Sequence, residues 1–358
     1  MKIIHAIFSF NVGGAETMLV DIINQQCKEA SVSLIVVNEK TNIDLLNTID
    51  KRVNVYLIKR KESNKVQLLS AFFKINQIVS KINSDIIHCH DNKLFPFFIS
   101  QRKKTFLTVH GLNLSCRFLK QYRQVFAISQ AVKEDVRKRA NVDAQIVYNG
   151  IVIGEYQQRT DFIPKQLFRI VQISRLDSQT KGQHIAIQAA ASLNEKYPDM
   201  NFTLSFVGDG EDKEKLTALV DENNIENRIV FEGQKSRLWI KEHLQDFDVL
   251  IQPSLHEGFG LTIIEGFAAG LPVIASDLDG PKEICRLLNA GLFVQANDPV
   301  DLAEKIRLVY QSYISNTLDS NNYTLKDKSQ LKIFDIQTTA AAYINNYNRY
   351  INTKKWYE

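Results

Sequence analysis

The chain has 358 residues, 44% of them apolar and 23% charged, with 15 glycines and 7 prolines. Those proportions exclude a disordered, collagenous or low-complexity chain, and the length suits two domains of about 150 residues, each able to bury its own core. Net charge is only +4, yet residues 1–150 carry 22 Lys and Arg against 12 Asp and Glu, and the remainder carries 22 against 28, so the basic excess belongs to the first part.

The N-terminal run to Phe10 is apolar after Lys2 but continues into Asn11-Val12-Gly13-Gly14-Ala15-Glu16 with no small-residue cleavage site, which is not the pattern of a signal peptide. Apolar runs such as 94–99 and 247–251 are far below the ~18 residues that cross a bilayer. Cys27, Cys89, Cys116 and Cys285 are scattered, without the spacing of a disulfide framework or a structural zinc site, so a reducing cytosol is expected.

Along the chain, short apolar runs alternate with amphipathic stretches, the pattern of parallel sheets covered by helices. Strands are expected at 3–8, 32–37, 53–58, 86–90, 105–109, 125–128 and 145–147, with helices at 16–27, 66–82 and 130–140. The pattern restarts with strands at 168–173, 202–207, 229–231, 249–251, 273–275 and 292–293. Between the two series, Asn149-Gly150 and Pro164 interrupt the periodicity. This predicts an α/β protein of two doubly wound, Rossmann-like units: residues 1–155 and residues 165–335. A last helix, 336–358, aligns Ala340, Tyr343, Tyr347, Tyr350 and Ile351 on one side and is expected to pack back on the first unit.

Basic clusters at Lys59-Arg60-Lys61, Arg102-Lys103-Lys104, residues 117–123 and Arg137-Lys138-Arg139 suit an anionic partner. Aromatic residues do not interleave with them as stacking platforms would and no nucleic-acid module signature is present, so an anionic membrane surface or acceptor ranks above nucleic acid.

The densest chemistry lies in residues 253–266. They follow a strand and open a helix, so the amides from Gly258 through Phe259, Gly260, Leu261 and Thr262 offer first-turn donors to an anion. Glu257 and Glu265 bracket that turn at a spacing too wide for a nucleophile and acid pair of a retaining glycosidase. They suit the hydroxyls at the two ends of a ligand with phosphate between. Arg175 and Lys181 follow the strand at 168–173 and can grip phosphate as a planar fork and a compact charge. Gly13 and Gly14 form a glycine loop after the first strand that is neither a GxGxxG fingerprint nor a P-loop.

These elements resemble the retaining, family 4 glycosyltransferases (group 1) of the GT-B fold over nearly the whole chain. The carriers are Gly13-Gly14-Ala15-Glu16, His110-Gly111, Ser129 with Val132, Tyr148-Asn149-Gly150-Ile151, Ser174-Arg175-Leu176, Lys181-Gly182, Gly208-Asp209-Gly210, the pair Glu257 and Glu265, and Gly270-Leu271-Pro272-Val273-Ile274-Ala275. The resemblance implies two units facing a cleft, the first on the acceptor side and the second holding the nucleotide sugar. It implies transfer of a sugar from a nucleotide diphosphate sugar, with uridine diphosphate expected, to a hydroxyl of a glycan or lipid-linked acceptor in surface polysaccharide, lipopolysaccharide or glycolipid synthesis, with retention. The enzyme would be cytoplasmic or peripheral on the cytoplasmic membrane face. Arg175 and Lys181 would neutralise the leaving diphosphate and Gly14 would add an amide. Glu265 would bind ribose, Glu257 and the 258–262 turn would address sugar and phosphate, His110 would contact the donor sugar, and the loop at Gly233 would lie against the base.

No cofactor or metal is expected. Asp277-Leu278-Asp279 forms a DxD triplet, but in the wrong fold for a metal signature, and alternation along a strand separates Cys89 from His88 and His90. Other readings are a GT-B enzyme such as a sugar-nucleotide epimerase, and a noncatalytic nucleotide-sugar-binding protein.

Overall fold

The computed structural model describes residues 1–11, 13–61, 66–159, 166–318 and 321–354. Val12 of the glycine loop, Pro164 of the interruption and the end of the last helix at 355–358 lie outside the described residues. The chain divides into two compact units, residues 1–152 with 333–358, and residues 153–332.

The first unit holds a seven-stranded parallel sheet. Its strands are β1 (Lys2–Ile7), β2 (Ser31–Asn38), β3 (Asn54–Arg60), β4 (Ile86–Cys89), β5 (Thr105–Val109), β6 (Gln124–Ala127) and β7 (Gln145–Ile146), in the order β3-β2-β1-β4-β5-β6-β7. Five of the six β1 residues and all of β4 and β5 are buried, because helices cover both faces of a parallel sheet; their sequences are accordingly near-continuous apolar runs. The connecting helices are α1 (Gly14–Gln26), α2 (Ile43–Asn47), α3 (Val66–Ile82) and α4 (Gln130–Ala140). Ser129 caps α4 by accepting from the Val132 amide at 3.1 Å, and Asn141 ends it in the left-handed region at φ 50°. Residues 92–104, between β4 and β5, form 3₁₀ turns rather than a strand or an α-helix; Pro96 lies inside and the backbone departs from helical angles at Phe98 and Gln101.

The second unit holds a six-stranded parallel sheet of β8 (Phe168–Ile173), β9 (Phe202–Val207), β10 (Ile229–Gly233), β11 (Val249–Gln252), β12 (Val273–Ser276) and β13 (Leu292–Val294), ordered β10-β9-β8-β11-β12-β13. Its helices are α5 (Ser178–Lys181), α6 (Gln183–Lys196), α7 (Lys213–Glu222), α8 (Arg237–His243), α9 (Leu261–Ala268), α10 (Asp279–Leu288) and α11 (Pro299–Ile314). Two doubly wound α/β sheets are therefore present, as the alternation of runs predicts. In each, strand order reverses beside the first strand, at β1 and at β8, which is where ligands of such sheets bind, beyond the strands' carboxyl ends.

The last helix, α12 (Ile336–Lys354), packs in the first unit. Tyr343 and Tyr347 are fully buried in a cluster with Ile3, Met18, Ile22, Ile86, Phe106 and Phe126, and Tyr350 and Ile351 pack against it. Burying two tyrosines of this size contributes several kcal/mol by area, provided their hydroxyls find partners. Those partners are Thr108 for Tyr343, at 3.0 Å, and His88 for Tyr347, at 2.5 Å. Among the described residues no helix is long and apolar enough to cross a membrane.

Candidate functional site

In the second unit the loops after β8 and β11 are tied together by backbone. The Thr180 carbonyl accepts from the amides of Leu255 and His256 at 2.9 and 3.1 Å. Gly182 has φ +69°, and a Cβ there would stand 2.0 Å from the Pro253 carbonyl oxygen, so only glycine permits this approach. Gly280, in the first turn of α10, closes on the other side of the 257–258 turn: a Cβ on it would meet the Glu257 and Gly258 backbone at under 3 Å.

This packing brings Lys181 against Glu257, Nζ to Oε2 2.8 Å, with side chains 23% and 14% exposed. Gln252, the last residue of β11, donates to the same carboxylate oxygen at 3.2 Å and accepts from the Thr262 hydroxyl at 2.7 Å, linking Glu257 to the first turn of α9. The amides of Leu261 and Thr262 open that helix and carry its positive end. Gly260 has φ +111°, a conformation needed for the chain to swing from the turn into the helix. Glu265, one turn on, accepts from the Tyr156 hydroxyl at 2.9 Å.

Arg175 lies beside this assembly. Its carbonyl accepts from Gln183 Nε2 at 2.8 Å, and Gln172 Nε2 donates to the Lys181 carbonyl at 2.7 Å, so two buried glutamines hold both cation-bearing loops. The Arg175 side chain is 72% exposed and pairs with Asp177 at 2.9 Å, an exchange that an incoming anion can readily replace. Gly233 ends β10 at φ +69°, with nothing within 4 Å of a Cβ position, and is followed by Lys235, whose ammonium lies 5.0 Å from the Trp239 ring centroid. Asp277 of the DxD triplet pairs with Lys282, and Asp279 begins α10.

In the first unit Gly13 caps α1 in extended backbone and Gly14 begins it. The Glu16 carboxylate folds back over Gly13, so close that a Cβ there would meet it at 2.5 Å, and burial pushes its carboxyl up. His110 follows β5, and its Nε2 lies 2.9 Å from His90 Nδ1. It is partly buried, its Nδ1 makes no protein hydrogen bond, and burial pushes it down to about 4.

The sequence reading placed Lys181 against phosphate and Glu257 against sugar independently; the structure shows them as one ion pair. Gln172, Gln183 and Gln252 were not singled out from the sequence, although Gln172 and Gln252, polar residues at the carboxyl end of the apolar strands β8 and β11, are a legible signal of a polar contact there. A further surprise is His5, which aligns with His88 across β1 and β4 and joins His90. Of the six ring nitrogens of His5, His88 and His90, one from each residue lies within 4.8 Å of one from each of the others, a cluster that alternation along β4 alone does not reveal. All six already have protein hydrogen-bond partners, among them Gln26, Thr108 and Tyr347.

Residues 155–323 match the family model Glycosyl transferases group 1, and residues 12–154 match Glycosyltransferase Family 4. An uncharacterized glycosyltransferase of Methanocaldococcus jannaschii is 25% identical over 76% of this chain and 80% of its own length. The lipopolysaccharide 1,6-galactosyltransferase of Salmonella typhimurium is 25% identical over 60% of this chain and 62% of its own. Among solved structures, Anabaena HepE in complex with UDP and glucose superposes with a TM-score of 0.78 at 21% identity, covering 98% of this chain and all of that one. With two doubly wound sheets and family matches that together run from residue 12 to residue 323, the chain belongs to the glycosyl transferases group 1 family and is a glycosyltransferase of the GT-B fold.

Proposed function

We propose that the enzyme transfers a hexose from a uridine diphosphate sugar to an acceptor hydroxyl with retention at the anomeric carbon, in the assembly of a surface polysaccharide, lipopolysaccharide or glycolipid. The observation that carries this reading is the convergence of Lys181, Glu257, Gln252 and the first turn of α9, with Arg175 alongside. Such an arrangement suits a diphosphate: a cation held in place, an exposed guanidinium, and the amides of a helix start, all stabilising charge that grows as the leaving group departs.

In the reaction the acceptor oxygen bonds to the anomeric carbon while the bond from that carbon to the diphosphate oxygen breaks. The acceptor's proton passes to the departing phosphate on the same face. Lys181 and Arg175 neutralise the leaving diphosphate, so transfer needs no metal. Glu257 is held by Lys181 and Gln252 so as to accept sugar hydroxyls, and Glu265 accepts those of ribose. The Gly258, Phe259, Gly260, Leu261 and Thr262 turn faces the phosphates, with Gly233 toward the base. From the first unit, Gly13 and Gly14 offer backbone amides and His110 meets the donor sugar. The basic excess of that unit, with Leu69 and Phe73 of α3 66% and 68% exposed, supports attraction to an anionic lipid surface that presents the acceptor.

The test is turnover of UDP-glucose, UDP-galactose and UDP-N-acetylglucosamine with and without glycolipid acceptors, in the presence of a chelator, with the anomeric configuration of the product read by NMR. Inverted product, chelator-sensitive turnover or no turnover of any UDP sugar would sink the corresponding part. Binding to anionic vesicles that weakens with salt supports the surface assignment; absence of binding at low salt removes it.

A further inference from the structure

The buried histidines of the first unit form a line with a direction. Gln26 Oε1 lies 2.8 Å from His5 Nε2, His5 Nδ1 lies 2.9 Å from His90 Nε2, and His90 Nδ1 lies 2.9 Å from His110 Nε2. Burial pushes His5 and His110 down to about 4 and His90 well below its ordinary value, so all three are neutral at pH 7. A neutral imidazole carries one donor nitrogen and one acceptor nitrogen.

A carbonyl oxygen can only accept. His5 must therefore carry its hydrogen on Nε2, which leaves its Nδ1 bare; His90 must then donate from Nε2 to that nitrogen, and His110 from Nε2 to His90. Nothing in the line can reverse alone. The far end is the His110 Nδ1 lone pair, buried and without a protein partner. A buried acceptor left open in this way is destabilising unless something fills it. Turning the Gln26 amide over would reverse every bond and put the hydrogen on His110 Nδ1 instead. The orientation described is the one in which Oε1 faces His5, and it leaves the Gln26 amide nitrogen, like His110 Nδ1, buried without a protein partner.

We propose that Gln26, His5 and His90 are positioning residues for His110, holding it as the Nε2–H tautomer so that its bare Nδ1 accepts a hydrogen bond from a hydroxyl of the donor sugar. This rests on the assignment of His110 to the donor sugar made above. The three residues act through His110 and touch no substrate. His88 stands outside the line, bonded to Tyr347 and Thr108, and packs the rings at a centroid distance of 4.6 Å from His90.

The test is two-bond nitrogen–proton NMR on the full chain labelled with ¹⁵N-histidine, His110 being assigned by the signals lost in His110→Gln. The proposal expects protonated Nε2 and bare Nδ1 at His5, His90 and His110. Protonated Nδ1 at His110, or averaged nitrogens, overturns it. Gln26→Met, which removes the accepting carbonyl at similar volume, should give averaged or reversed His110 nitrogens and lower kcat/KM at least tenfold; Gln26→Glu, which keeps an acceptor facing His5, should restore the wild-type tautomer. If Gln26→Met lowers thermal stability yet leaves the His110 signals and kcat/KM unchanged, the residue is structural and the proposal fails. Adding UDP-glucose, UDP-galactose and UDP-N-acetylglucosamine in turn separates the two levels. A turned-over donor that shifts His110 Nδ1 supports both, whereas one that leaves it unmoved while the tautomers stand as expected removes the sugar contact from His110 and overturns its presentation to the donor, leaving the directed line itself.

Discussion

The polar machinery of the second unit is charged and half-open, whereas that of the first is neutral and sealed. Lys181, Glu257, Arg175 and Asp177 keep side-chain exposures from 14% to 72% and are paired with one another. His5, His88 and His90 are buried under α12, and desolvation drives each toward its uncharged form. The difference follows from what each can hold. A charged ligand is met by charges that water keeps affordable until it arrives, and a neutral hydroxyl is met by uncharged groups whose direction is set by their neighbours.

Breaking the charged half should have the largest effect. Lys181→Ala or Glu257→Ala is expected to lower kcat/KM by about 10²–10³ or more with the fold retained by circular dichroism, since a preorganised electrostatic contact is removed. Full activity in either variant would dismantle the assignment of this loop pair. Next comes Gly182→Ala, expected to destabilise the second unit by on the order of 2–4 kcal/mol in urea unfolding, from left-handed strain plus the clash with the Pro253 carbonyl. Gly233→Ala has the same φ but open space, so about 1–2 kcal/mol is expected. Equal costs would show that the close approach is not what fixes the loop.

The sealed half is probed by acid. Unfolded histidines bind a proton near pH 6.5 that folded His5 and His110, at about 4, do not. The unfolded state thus gains protons first as pH falls, and stability present above about 6.5 is lost toward 4. Hydrogen exchange at pH 5.5 against 7.5 should show weakened protection in the first unit before the second, where burial lowers His184 but leaves it part-exposed. Simultaneous loss in both units would count against the buried histidines as its source. The smallest effect is expected from Tyr156→Phe, which removes the hydroxyl bonded to Glu265: a rise of a few-fold in donor KM with kcat unchanged.

Much of this was legible without coordinates. The strand runs fall on the thirteen strands seen among the described residues, most plainly for central strands such as β1, β4, β5 and β11, whose burial on both faces requires a near-continuous apolar run. The tyrosine stripe of the last helix was equally readable from its spacing. Residues 92–104 were not, since an apolar run broken by Pro96 fits neither period. In the site, the loops of Arg175, Lys181 and Glu257 were found as strand ends followed by glycine. Their pairing was hidden, because it depends on the Thr180 carbonyl and on Gly182 meeting Pro253, contacts between segments more than seventy residues apart.

The sequence by itself determined the two wound sheets and which loops leave their strands at the carboxyl ends, since periodicity and glycine placement act locally. Only the tertiary structure decided that Lys181 pairs with Glu257 and that Gln26, His5, His90 and His110 stand in one line of hydrogen-bond contacts. Those outcomes depend on distances and desolvation between segments far apart in the chain, which no local pattern encodes.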